Sequence, residues 1–138
     1  MTSDQIQREV RFVLATVLGH FAVNGAHGVA HRALAIPLAQ SQKLFILVVI
    51  LLAPALAAAL VWKGAHRSGG LLLAASLVGA VLFGVWNHYV AISPDHVSHL
   101  PVTGQPEWKI LFQVTALLLV PTEGCGIWAA VRLLRRTW

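Results

Sequence analysis

Charge is what this chain has least of. Only 11% of its 138 residues are Asp, Glu, Lys or Arg, against roughly a quarter in a soluble globular domain. Intrinsic disorder is excluded by the same count, because disordered chains are rich in charge and poor in apolar residues. Cysteine is nearly absent as well. The single Cys125 rules out an intrachain disulfide framework and any Cys-rich zinc site. The chain has no G-x-S-x-G elbow, no P-loop and no G-x-G-x-x-G fingerprint, which argues against a soluble-type hydrolase or a nucleotide-binding domain. Nucleic acid is not an expected partner either, since the basic residues flank apolar runs and form no recognition motif.

Apolar residues fill the space that charge leaves. They make up 57% of the chain, and the mean hydropathy is +0.73. A bilayer-spanning helix needs roughly 20 mostly apolar residues. Four stretches meet that need, at about residues 11–31, 44–62, 70–91 and 109–131. The expected fold class is therefore all-α, an integral membrane four-helix bundle in one domain covering residues 1–138. The first stretch has a competing reading as a cleaved secretory signal, with Arg8 and Arg11 as its basic start. Asp4, Glu9 and the interruption at His20 weigh against that reading.

The connections are short except for an outer loop at residues 92–107, where Pro94, Pro101, Gly104 and Pro106 break helical structure. Gly64, Gly69 and Gly70 mark a tight basic turn. Pro54 and Pro121 fall inside spans and predict kinks. Ala22, Ala26 and Ala30, and likewise Ser76, Ala80 and Gly84, recur every fourth residue and predict close helix approach.

Orientation follows from the distribution of Lys and Arg. One side of a four-span chain carries Arg8, Arg11, Lys63, Arg67, Arg132, Arg135 and Arg136, and the other only Arg32, Lys43 and Lys109. Both termini are thus expected in the cytoplasm, in a bacterial-type inner (cytoplasmic) membrane. The Arg132, Arg135 and Arg136 group is expected to meet anionic lipid heads.

Ionisable residues inside spans are costly and mark sites or packing seams. His20, Asn24, His27 and His31 are spaced four, three and four apart, which places them on one helical stripe. At about 1.5 Å per residue, His20 and Glu123 fall at one depth, and His27, His31 and His88 near another. The deeper pair, His20 with Glu123, is expected as a buried polar contact. Cys125 points about 200° away from Glu123 and is left out.

The outer group is richer. His27, His31 and His88 lie below a loop carrying Asp95, His96 and His99, with Asn24 and Asn87 as supporting polar groups. Imidazole is the commonest protein metal ligand, and His27 and His31 at i,i+4 share a helix face. The expected function is binding of a transition metal, Zn, Cu or Fe, through His27, His31, His88, His96, His99 and Asp95. Haem ranks below an ion, with His27 and His88 as the pair at matching depth. The spacing of His27 and His31, then of His96 and His99, resembles part of the histidine boxes of membrane di-iron hydroxylases and desaturases. The doubled His-His box of that family is missing, so no activity carries over.

Two further expectations stand beside the metal site. One is an accessory or structural subunit of a larger membrane complex, or a homo-oligomer, held in the lipid bilayer through small-residue seams. The other is a transporter or proton relay through the intramembrane His and Glu residues. No catalytic residue is assigned.

Overall fold

The computed structural model describes residues 2–101 and 105–137, which leaves Gly104 outside the described residues. Four helices are long and apolar enough to cross a membrane: α1 Ser3–Ala33, α2 Gln40–Trp62, α3 His66–Val90 and α4 Pro106–Thr137. No strand occurs among the described residues. α1 and α4 run past both boundaries expected from hydropathy, α2 starts earlier and ends where expected, and α3 starts at His66, which puts Gly69 and Gly70 of the expected turn inside the helix, and ends at Val90. α1 begins at Ser3 because Thr2 caps it, its hydroxyl accepting from the Gln5 amide while the Gln5 side chain accepts from the Thr2 amide at 3.1 Å.

α1 packs chiefly on α4, α4 on α3, and α3 on α2, with α2 meeting α1 more lightly to close the ring. The termini, the α2–α3 turn and the ends of α1 and α4 near them share one end of the bundle. The α1–α2 connection, residues 91–101 and residue 105 form the other, here called the loop end.

The half nearer the termini is dry. Val13, Val17, Ala57, Val61, Leu73, Leu77, Ala129, Ala130 and Leu133 make one apolar cluster, all but fully buried. Helix backbones come closest at glycines other than those in the predicted seams. A β-carbon on Gly69 would lie 2.8 Å from the Ala57 carbonyl oxygen and 2.9 Å from the Val61 nitrogen, and one on Gly126 would strike Leu77. Ala22 is exposed, so the first predicted seam does not face the interior along its whole length.

The two prolines behave differently. α4 continues through Pro121 without interruption. Ahead of Pro54, α2 widens into a stretch of π-type turns over Ile46–Leu52, with the Ala53 amide bonded to the Val48 carbonyl. A proline has no N–H to give to the carbonyl four residues back, and at Pro54 that carbonyl belongs to Ile50.

The ends of α1 and α2 turn through left-handed residues. Gly64 has φ +88° after α2, and Ala35 has φ +49° after α1. At Ala35 a side chain occupies a conformation that costs about 1–2 kcal/mol outside glycine. The turn is held by the Ile36 amide on the His31 carbonyl at 3.2 Å, and it swings Ile36 and Pro37 across the loop end.

Candidate functional site

The last turn of α3, Trp86–Val90, is also π-type, a local widening that is frequent at functional sites. It places Asn87 and His88 inward, both buried. Asn87 donates to the Phe83 carbonyl at 2.8 Å and accepts from the Gln42 side chain of α2 at 2.9 Å. The chain then doubles back, and the Val97 amide bonds the His88 carbonyl at 3.0 Å. This return carries Asp95 under the loop, where it is 4% exposed.

Asp95 joins two helices. Its Oδ1 accepts from His31 Nε2 of α1 at 2.7 Å and lies 3.3 Å from His88 Nδ1 of α3. His88 Nδ1 also donates to the Asp95 main-chain carbonyl at 3.0 Å. Burial alone would raise the Asp95 carboxyl. The hydrogen bonds from His31 and His88, with the positive charge those rings can carry, outweigh it and hold the group well below the usual carboxylate range.

His27 lies one turn deeper on α1. Its Nδ1 is 2.9 Å from the Thr115 hydroxyl of α4. That hydroxyl has one proton, and its own nearest acceptor is the Leu111 carbonyl at 2.6 Å. The Thr115 oxygen therefore accepts from His27, which fixes the N–H on Nδ1 and leaves Nε2 as a bare lone pair. That nitrogen is buried with no hydrogen-bond partner. In its neutral form each of His31 and His88 likewise keeps a lone pair, on Nδ1 and Nε2 respectively, so among the described residues three imidazoles are each tied through one nitrogen only.

The deeper pair also comes together, and its bonds explain why. His20, fully buried, donates through Nε2 to the Ile50 carbonyl at 2.8 Å. This is the acceptor that Pro54 leaves without its α-helical donor. With Nε2 protonated, Nδ1 accepts from the Asn24 amide at 3.1 Å. Glu123 Oε1 stands 3.9 Å from that same Nδ1. It is a neighbour at charge-contact range rather than a hydrogen-bond partner.

Both groups open on one cavity of about 460 Å³. Asn24 and Glu123 line its deep end, and His27, His31, His88 and Asp95 line its loop end. Its walls are otherwise largely apolar, from residues such as Ile46, Ile50, Phe83 and Leu119, and the exposed Arg32 and Lys43 also border it. Its polar lining goes no deeper. Beyond Glu123 and His20 lies the apolar cluster, and the next buried ionisable side chain toward the termini, among the described residues, is Glu9.

His27, His31, His88 and Asp95 are thus brought together, while His96 and His99 are not. Those two rings face each other at 4.7 Å on the loop, His96 accepts from Ser98, and neither borders the cavity. Among the described residues no three His, Cys, Asp or Glu side chains are placed to hold one ion. Phe112 of α4 stands among the three rings, its centroid 4.6, 5.5 and 5.4 Å from those of His27, His31 and His88. The imidazoles pack on an aromatic ring and do not surround a common point.

Three partners escape a reading of the sequence. Thr115 is silent because a threonine in a span ordinarily bonds its own helix, and Gln42 lies before the apolar run of α2. Glu9 pairs with two of the arginines expected at lipid heads, Arg132 at 2.7 Å and Arg136 at 3.1 Å. Its signal was a carboxylate at the basic start of α1. Comparison with protein-family models, with curated proteins and with solved structures finds no match to this chain.

Proposed function

We propose that the protein is an integral membrane protein of a bacterial-type cytoplasmic membrane, with both termini cytoplasmic, that binds a small amphipathic ligand in the outer half of its bundle. The observation that carries this reading is the unpartnered, buried Nε2 of His27, a residue that lines the cavity. A buried polar atom without a partner costs about 1–3 kcal/mol. A ligand N–H or O–H removes that cost. The lone pairs of His31 and His88 and the carboxyl group of Glu123 give the same cavity further acceptors. The apolar walls suit a hydrocarbon or ring body, and about 460 Å³ is far more room than a bare ion needs.

A transition-metal ion is the second reading, favoured by one specific feature. All three imidazoles are anchored through one ring nitrogen by Thr115, Asp95 or the Asp95 carbonyl. Metal-binding histidines are oriented in this way. Loading an ion would require the rings to turn off Phe112.

One preparation tests both. Protein purified without a histidine tag in mild detergent is extracted for organic compounds and analysed for metals, beside His27→Phe. A stoichiometric organic compound lost in the variant supports the first reading. A stoichiometric metal lost in the variant supports the second. Folded wild-type protein carrying neither, with no ligand-dependent change in His27, overturns both. For the orientation, a fluorescent-protein fusion at the C-terminus is expected to fold and an alkaline phosphatase fusion there to be inactive; the reverse pattern inverts the topology.

A further inference from the structure

A second cavity, of about 540 Å³, lies at the opposite end of the bundle, between the first turns of α1 and the α2–α3 turn. Its chemistry is the reverse of the first. Arg11 and Lys63 line it together with Gln7, His66 and Trp62, and no lining residue is acidic. Neither Arg11 nor Lys63 forms an ion pair with a carboxylate among the described residues. The one buried carboxylate at this end, Glu9, is already taken by Arg132 and Arg136. Among the described residues, therefore, no carboxylate pairs with the positive charge of this cavity.

Two further features bear on it. α3 starts at His66 directly after the turn, and its cap residue, Ala65, offers no side-chain acceptor to the first amides. The positive end of the helix dipole adds to the field at this end of the cavity. The Nδ1 of His66 is itself shielded from solvent and has no hydrogen-bond partner. Trp62, 72% exposed, stands beside these groups, and an indole on a basic rim is characteristic of the depth where lipid headgroups lie. The left-handed Gly64 sets the turn so that Lys63 and His66 border the same space.

We infer that this cavity binds a phosphate group, supplied by the headgroup of an anionic phospholipid of the adjoining leaflet. Arg11 and Lys63 carry the charge recognition, and Trp62 lies along the upper acyl chain. The inference does not depend on what occupies the histidine cavity.

Native mass spectrometry of detergent-solubilised full-length protein exchanged into defined lipid tests it. Phosphatidylglycerol is expected to be retained about tenfold more than phosphatidylcholine. In the Arg11→Gln/Lys63→Gln variant that preference should fall to near unity, while Arg8→Gln, whose side chain lies outside the cavity, should keep it. Both altered positions are exposed, so a thermal midpoint equal to wild type verifies the fold. Millimolar inorganic phosphate that leaves the bound lipid in place identifies the lipid as the source. Displacement by inorganic phosphate keeps the phosphate site and makes its ligand soluble. Equal retention of the two lipids by wild type, or an unchanged preference in the double variant, overturns the inference.

Discussion

The two halves of the bundle solve the same problem with different chemistry. Toward the termini, helices meet through glycine and aliphatic side chains, and Gly69 brings α3 onto the backbone of α2. Toward the loop end they meet through side-chain hydrogen bonds: His20 to Ile50, His27 to Thr115, His31 to Asp95 and Gln42 to Asn87. In lipid, packing contacts and interhelical hydrogen bonds are both open to a protein, and a typical hydrogen bond there contributes only about 0.6 kcal/mol. A polar interface is thus a poor way to gain stability. Among the described residues the terminal half has its own buried polar contact between helices, Glu9 of α1 with Arg132 and Arg136 of α4, but the contacts of the other half surround a cavity, which is what the ligand site proposed above requires.

The comparison predicts a gradient of mutational cost. The largest effect belongs to Gly69→Val, where the added atoms meet backbone that cannot rotate away. It should destabilise by about 3 kcal/mol, read as a drop in the midpoint of denaturant unfolding in mixed micelles. The same change at Gly25, which has no neighbour within 4 Å, should leave the midpoint unmoved. Equal midpoints for the two variants would break the picture of a close-packed half.

Asp95→Asn comes next. It removes the charge that holds His31 and His88 together, with an expected loss of about 2 kcal/mol and release of whatever the cavity binds. A variant that keeps its ligand would show that the carboxylate does not organise the site. His20→Ala should cost about 1 kcal/mol by stranding the Ile50 carbonyl. His20→Gln, which retains a donor, should recover part of it.

The pH dependence follows from the depressed Asp95 carboxyl. A group whose folded value lies below its unfolded one stabilises the fold above the unfolded value, 3.8 for Asp95, and loses that contribution as pH falls through the folded value. The thermal midpoint should be insensitive to Asp95 from pH 7 to pH 5, then fall below about pH 4. The Asp95→Asn protein should lack that component. Ala35→Gly should have the least effect, a gain of up to about 1 kcal/mol from relieving the left-handed turn; a loss would mean the methyl group is needed at the edge of the cavity.

How far the sequence foretold this arrangement depends on the kind of signal. The four helices were legible because a bilayer demands long apolar runs and nothing else here competes with them. The depth argument paired His20 with Glu123 and grouped His27, His31 and His88, since 1.5 Å per residue holds in any helix. It gave depth but not direction around the axis. That is why Phe112, at the right level on α4, was not foreseen among the imidazoles. His96 and His99 were drawn into the site by proximity in the chain, yet a loop with three prolines has no period from which a direction can be read. The π-type turns at Ile46–Leu52 and Trp86–Val90 left no trace beyond Pro54, because insertion of a residue into a helix changes its register without changing its composition.

On the membrane placement proposed above, the bond from His20 to the Ile50 carbonyl has a consequence for how the chain is assembled in the bilayer. A second span that enters the bilayer alone carries an acceptor that Pro54 cannot supply and that the bilayer core cannot hydrate. A first span that enters alone carries an imidazole with nothing to donate to. Each segment lacks the partner for this bond when alone, and the same bond completes both. The two spans are therefore expected to leave the insertion machinery as a hairpin, with the proline-made gap in one serving as the address for the other.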